Sequence, residues 1–126
     1  MSSHPTDDTP ALVELLAQAL LQRGWSLATA ESCTGGLISA ACTELAGSSQ
    51  WFERGFVTYS NDAKHESLGV DAALITRVGA VSEPVAQAMA LGALRHSKAQ
   101  VSLAVTRMFS SVSNRLLPGA SGINKV

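Results

Sequence analysis

Several things are scarce in this chain, and each shortage removes a class of function. Nine basic residues stand against ten acidic ones, a net charge of -1. With no cationic footprint to track a phosphate backbone, nucleic acid is not an expected partner. Aromatic residues make up 5% of the chain, which leaves few platforms for stacking bases. Cys33 and Cys42 are too few for a disulfide scaffold, and nine positions apart on one predicted helix they fall on different turns. They read as reduced thiols of a cytoplasmic protein. His4, His65 and His96 lack metal-ligand spacing, so no metal is expected. The sequence also lacks internal repeats, a signal-peptide pattern and any apolar run near the roughly 18 residues of a membrane span, so no membrane association is expected.

What is present is enough for one layered domain. A chain of 126 residues that is 46% hydrophobic can bury a core. Residues 1–9 read as a flexible polar leader. Thr9 is placed to cap a helix that has Pro10 in its first turn, an apolar stripe of Leu12, Leu15, Leu16, Ala19 and Leu20, and a stop at Gly24. Trp25–Thr29 reads as a strand, and Leu37, Ile38, Ala41, Leu45 and Ala46 as a helix stopped by Gly47. Phe52–Tyr59 reads as a second strand, after which Ser60-Asn61-Asp62 caps a helix with Lys64 in its first turn. A short helix spans Asp71 to Val78 before Gly79. A longer one runs from Ser82-Glu83-Pro84 to about Lys98, with Val85, Met89, Ala93 and Leu94 inward, and Ala99–Val105 is an apolar strand. Strands alternating with helices predict an α/β domain.

The chemistry gathers at Ala30-Glu31-Ser32-Cys33-Thr34-Gly35-Gly36, where a strand delivers a hydroxyl and a thiol to the start of a helix. The first amides of a helix lack internal partners and lie at the positive end of its dipole, so those of Cys33–Gly36 are suited to an anion or a developing oxyanion. On residue type alone the roles stay open. Ser32 is either a nucleophile or a helix cap, Lys64 either a base or a solvated charge, and Cys33 either a nucleophile or a packed thiol. Glu31 either orients the site or bonds backbone, Tyr59 fills either pocket or core, and Trp51 and Phe52 read as packing.

Longer stretches carry a resemblance. Ala30–Gly36, Ala46-Gly47-Ser48-Ser49, Trp51–Lys64 and Gly79-Ala80-Val81-Ser82-Glu83-Pro84 occur in the order and spacing of the CinA C-terminal domain family, whose stand-alone members are nicotinamide-nucleotide amidohydrolases. The resemblance implies a three-layer α/β/α sandwich with a mixed central sheet. It implies a cytoplasmic homo-oligomer that hydrolyses the carboxamide of nicotinamide mononucleotide to nicotinic acid mononucleotide and ammonia, with neither metal nor cofactor. Residue by residue, it makes Ser32 the nucleophile and Lys64 its base, and it places Glu31, Cys33, Thr34, Gly35, Gly36, Tyr59, Asn61 and Thr106 around the substrate. Such a pair needs a lysine whose pKa is pulled down, and a cation opposing a helix dipole under partial burial meets that need. The two side chains are expected within about 2.6–3.2 Å or across one water.

The likeness stops at Thr106. In place of the family's Gly-Ile-Ala-Gly-Pro loop the chain reads Arg107-Met108-Phe109-Ser110-Ser111. The expectation is an incomplete domain over 10–106 that lacks the family's C-terminal strands and last helix, followed by a divergent tail over 107–126, as a shifted reading frame or early termination produces. That tail shows no sustained pattern, and Leu117–Gly122 reads as loop. An uncovered sheet edge and exposed Val101, Leu103 and Val105 are expected with it. The alternative reading of function is a catalytically impaired remnant that binds a nucleotide or a protein partner.

Overall fold

The computed structural model describes residues 7–115. The leader up to residue 6 and the loop predicted at Leu117–Gly122 lie outside the described residues. The elements run α1 (Thr9–Arg23), β1 (Leu27–Glu31), α2 (Leu37–Thr43), one 3-10 turn (Ser48–Gln50), β2 (Phe52–Val57), α3 (Asn61–Leu68), α4 (Ala72–Val78), α5 (Glu83–Arg95), β3 (Val101–Val105) and β4 (Ser110–Asn114).

The sheet has the order β2-β1-β3-β4. β1 lies parallel to both β2 and β3, with Ala30 opposite Phe56 on one side and Ala104 on the other, while β4 runs antiparallel to β3. Strand alternation divides the core into two layers of apolar contact. Ala28, Ala30 and Ala104 face Leu68 of α3, Ile75 of α4 and Val85, Met89, Ala90 and Ala93 of α5. Leu27, with Val101 and Leu103, faces Val13, Ala17 and Leu20 of α1 and Cys42 of α2. The architecture is the expected three-layer α/β/α sandwich with a mixed sheet. Alanines on the first face let α5 lie close, and a Cβ at Gly92 of that helix would overlap the Leu68 carbonyl oxygen.

Local chemistry sets the boundaries. Ser60, Asp71 and Ser82 cap α3, α4 and α5 by accepting N–H bonds from Ala63, Ala73 and Val85. Gly24 and Gly69 stop α1 and α3 in the left-handed conformation. Several edges differ from the sequence reading. Asp8, not Thr9, precedes α1, and the Asp7 carboxylate accepts the Thr9 N–H at 3.1 Å. The buried stripe of α1 is Val13, Ala17 and Leu20, whereas Leu12 and Leu15 are 62% and 63% exposed. The spacing 13, 17, 20 follows the helical period as well as the leucines do, and the leucine count hid it. β1 starts at Leu27 and continues into Glu31, β2 ends at Val57, and α2 ends at Thr43, so Cys33 precedes the helix that holds Cys42. α5 ends at Arg95, because the ring nitrogen Nδ1 of His96 turns back to the Gly92 carbonyl at 2.8 Å.

The largest difference lies after Thr106. The stretch that showed no pattern forms β4, which occupies the free side of β3. Its inward residues are Ser111 and Ser113, both buried beside α5, so it has no apolar alternation for a sequence reading to find. Val101, Leu103 and Val105 are half-buried rather than exposed. Arg115, directly after β4, ties it to the end of α5 and to the segment before β3 by donating to the carbonyls of Leu94 and Ala99.

Candidate active site

In an open α/β sheet a crevice forms at the carboxyl ends of neighbouring strands whose following helices go to opposite faces. Here those strands are β1, followed by α2 on one face, and β2, followed by α3 on the other. Alternation sends the Glu31 side chain to the α2 face and the next residue, Ser32, toward the face where α3 carries Lys64.

Glu31 is fully buried and binds the turn that follows it. Its Oε1 accepts from Thr34 Oγ1 at 2.6 Å, the Gly36 amide at 3.1 Å and the Ile38 amide at 2.9 Å. Its Oε2 accepts from the Ser39 amide at 2.8 Å and Ser39 Oγ at 3.1 Å. Burial pushes this carboxyl up, but the bonds from Thr34, Ile38 and Ser39 outweigh it and hold the group below the ordinary glutamate range. The start of α2 is thus filled from inside by the chain's own carboxylate. The left-handed Gly35 and Gly36, at φ 64° and 115°, fold the turn around it. Of the four amides the sequence reading gave to an oxyanion, Gly36 is taken by Glu31, and Gly35 by the Ser32 carbonyl at 3.1 Å. Those of Cys33 and Thr34 donate to no acceptor among the described residues.

A cavity of about 250 Å³ opens beside this turn. The β1–α2 turn contributes Ser32 and Cys33, and the β2–α3 connection Tyr59, Asn61 and Lys64. The α4–α5 loop adds Ala80 and Val81, and the loop after β3 adds Arg107. Ser32 is 7% exposed, and its amide donates to the Val105 carbonyl at 3.3 Å. Lys64 is 2% exposed, and its Nζ donates to the carbonyls of Thr58 and Tyr59, each at 3.1 Å. The Thr58 amide donates to the Glu31 carbonyl at 2.8 Å. Burial pulls the Lys64 pKa below the ordinary lysine value, with the charge of the neighbouring Cys33 pushing the other way. The side chains of Ser32 and Lys64 share the cavity without a direct hydrogen bond between them.

The other sequence candidates divide. Tyr59, Asn61 and Cys33 line the cavity with the pair, and Tyr59 and Cys33 are exposed at its mouth. Glu31, Thr34 and Gly36 belong to the capping network and Gly35 to the same turn, and none of the four lines the cavity. Thr106 is buried and closes the turn into β4 through its amide and hydroxyl, which reach the Phe109 carbonyl at 2.8 and 3.3 Å. Cys42 is buried, and burial together with the Glu31 charge pushes its thiol up. Sequence reasoning missed Ala80, Val81 and Arg107. The signal for Arg107 was its place directly after β3, at the same sheet end as Ser32. Among the described residues no three His, Cys, Asp or Glu side chains converge on one point, and no helix is long and apolar enough to cross a membrane. A larger depression of about 320 Å³ between α1 and α2 is lined by Asp7, Thr9, Glu14 and Glu44, with no lysine among its described residues to serve as a base.

These features define a three-layer α/β domain with a serine hydroxyl and a buried lysine at the crevice of its sheet. The chain belongs to the CinA C-terminal domain family, whose profile matches residues 9–108. It is 55% identical over 91 residues to the nicotinamide-nucleotide amidohydrolase PncC of Enterobacter agglomerans, an alignment that covers 72% of this chain and 56% of that protein. It is 50% identical over 95 residues to the PncC of Escherichia coli K12, covering 75% and 58%. A CinA-like protein of Mycolicibacterium vanbaalenii is 57% identical over 95 residues, covering 75% of this chain and 21% of that one. The chain thus spans a little over half the length of the amidohydrolases it matches and about a fifth of that longer relative. Among solved structures, a competence/damage inducible protein from Agrobacterium tumefaciens superposes with a TM-score of 0.83 at 39% identity, covering 100% of this chain and 81% of that one. A CinA superfamily protein from Escherichia coli gives 0.78 at 38% identity, covering 84% and 62%.

Proposed function

We propose that this chain hydrolyses the carboxamide of nicotinamide mononucleotide, the reaction class that the names of its amidohydrolase relatives describe, with Ser32 as nucleophile and Lys64 as base. The observation that carries the reading is the placement of Lys64, buried in the cavity that also holds Ser32. Burial favours its neutral form, and two backbone carbonyls receive two N–H bonds from its nitrogen. A neutral amine has two hydrogens and one lone pair, so both hydrogens are held and the lone pair is left for the proton of a hydroxyl in the same cavity.

Ser32 Oγ gives its proton to Lys64 Nζ and attacks the carboxamide carbon. The carbonyl oxygen becomes an oxyanion beside the amide of Cys33, which lines the cavity and donates to no acceptor among the described residues. Collapse breaks the C–N bond, and Lys64 returns the proton to the departing nitrogen, which leaves as ammonia. A water, deprotonated by the same lysine, then splits the acyl ester, releases nicotinic acid mononucleotide and restores the Ser32 hydroxyl. One water between the two side chains carries the proton from the nucleophile to the base.

The test is ammonia release from nicotinamide mononucleotide by purified protein. Ser32→Ala and Lys64→Ala each lower kcat by about a thousandfold or more while the fold is retained. Turnover that persists in either variant refutes the assignment. The missing direct hydrogen bond between the pair favours a second reading, a chain that binds the nucleotide without turning it over. Saturable binding with no ammonia release from the wild type selects that one.

A further inference from the structure

We infer that Arg107 is the group by which this site recognises the phosphate of a nucleotide, and that it makes the cavity selective for phosphorylated over unphosphorylated substrate. The inference rests on the proposed amidohydrolase reading and deepens it. Three observations carry it.

The first is charge. The described residues that line the cavity include two basic side chains, Lys64 and Arg107, and no carboxylate. The second is availability. Lys64 is committed to the Thr58 and Tyr59 carbonyls and is assigned to the proton transfers of the proposed chemistry. Arg107 has neither hydrogen bond nor ion pair among the described residues, so its guanidinium fork is free, and that fork matches a phosphate's paired oxygens.

The third is size and depth. A volume of about 250 Å³ falls below the roughly 300–1,000 Å³ of sites that enclose a whole drug-sized ligand. A mononucleotide therefore enters with one end only. Ser32 and Lys64 are buried, so the carboxamide is the end that goes in. Arg107 is exposed at the mouth, where the far end of the nucleotide remains.

The experiment compares kcat/KM for nicotinamide mononucleotide and for nicotinamide riboside, the same molecule without its phosphate, in the wild type, Arg107→Ala and Arg107→Lys. In R107A the preference for the phosphorylated substrate falls roughly ten- to a hundredfold, carried by KM, as expected for losing hydrogen bonds to a charged group. R107K keeps part of the preference through its charge. An unchanged ratio in R107A, or an equal loss on both substrates, overturns the inference. Titration with inorganic phosphate tests it apart from turnover: phosphate binds the wild type more tightly than R107A, and equal binding refutes the role of Arg107. A wild type that binds phosphate through Arg107 yet releases no ammonia counts against the amidohydrolase reading and not against the phosphate site.

Discussion

Replacing Glu31 with glutamine removes one charge while keeping the shape of the side chain, and the loss is readable from the bonds it makes. With its carbonyl oxygen in the Oε1 position, glutamine still accepts from Thr34, Gly36 and Ile38. Its amino group then faces the Ser39 amide, a donor against a donor, while the Ser39 hydroxyl rotates to accept. One unpaired buried N–H costs about 1–3 kcal/mol. The three surviving bonds lose their charge assistance, at about 0.5–1 kcal/mol each. The sum, about 2.5–6 kcal/mol, is a large fraction of the roughly 5–15 kcal/mol that holds a domain of this size. At a urea m-value of about 1–3 kcal/mol per molar, the unfolding midpoint of E31Q falls by at least about 0.8 M. The pH dependence has a definite sign. A carboxyl held below its unfolded value contributes stability above about pH 4.3, and that contribution is lost as pH falls through the lower folded value. E31Q therefore flattens the acid side of the stability profile. A midpoint within about 0.3 M of wild type, or an unchanged acid limb, refutes the claim that this carboxylate organises the turn.

Lys64 should set the rising limb of kcat/KM against pH below the roughly 10.4 of a free lysine, and Cys33→Ala should move that limb lower still by removing the charge that opposes the shift. A limb at the free-lysine value contradicts the burial argument. Gly92→Ala should destabilise the fold, because the added Cβ meets the backbone oxygen of Leu68. The overlap outweighs the roughly 1 kcal/mol that alanine ordinarily gains in a helix. Thermal unfolding several degrees below wild type is the expected readout, and an equal or higher Tm overturns the close-approach reading. Iodoacetamide should alkylate exposed Cys33 and spare buried Cys42, stopping ammonia release by filling the cavity, with nicotinamide mononucleotide protecting against it. Full activity after stoichiometric labelling at Cys33 would show that the substrate does not pass that residue.

The parts of the fold that the sequence made legible are those governed by local chemistry. Ser60, Asp71, Ser82, Gly24 and Gly79 mark element ends because a cap or a left-handed stop depends on one or two residues. What stayed hidden depends on partners distant in the chain. The buried face of α1 is chosen by what lies under it, so Leu12 and Leu15 misled where Val13 and Ala17 pack. β4 pairs with β3 through its backbone and turns serines inward, which leaves no hydrophobic rhythm to detect. At the site, Ser32 and Lys64 stood out as residue types at suggestive positions. The role of Glu31 stayed open because a carboxylate can reach forward to several amides only once the turn exists. Arg107 was passed over because it opened a stretch read as tail, although its strand ends beside the one that precedes Ser32.

The backbone of Thr58 has a consequence for how the site behaves as an object. Its N–H grips the carbonyl of Glu31 while its own carbonyl grips the Lys64 nitrogen, so the backbone of a single residue is the strut between the two arms of the crevice. A tilt at the tip of the central strand reaches the amine through that strut, with no loose loop between them to absorb it. Damage on one arm is therefore felt on the other, and substitutions made on both should combine as if to a single part.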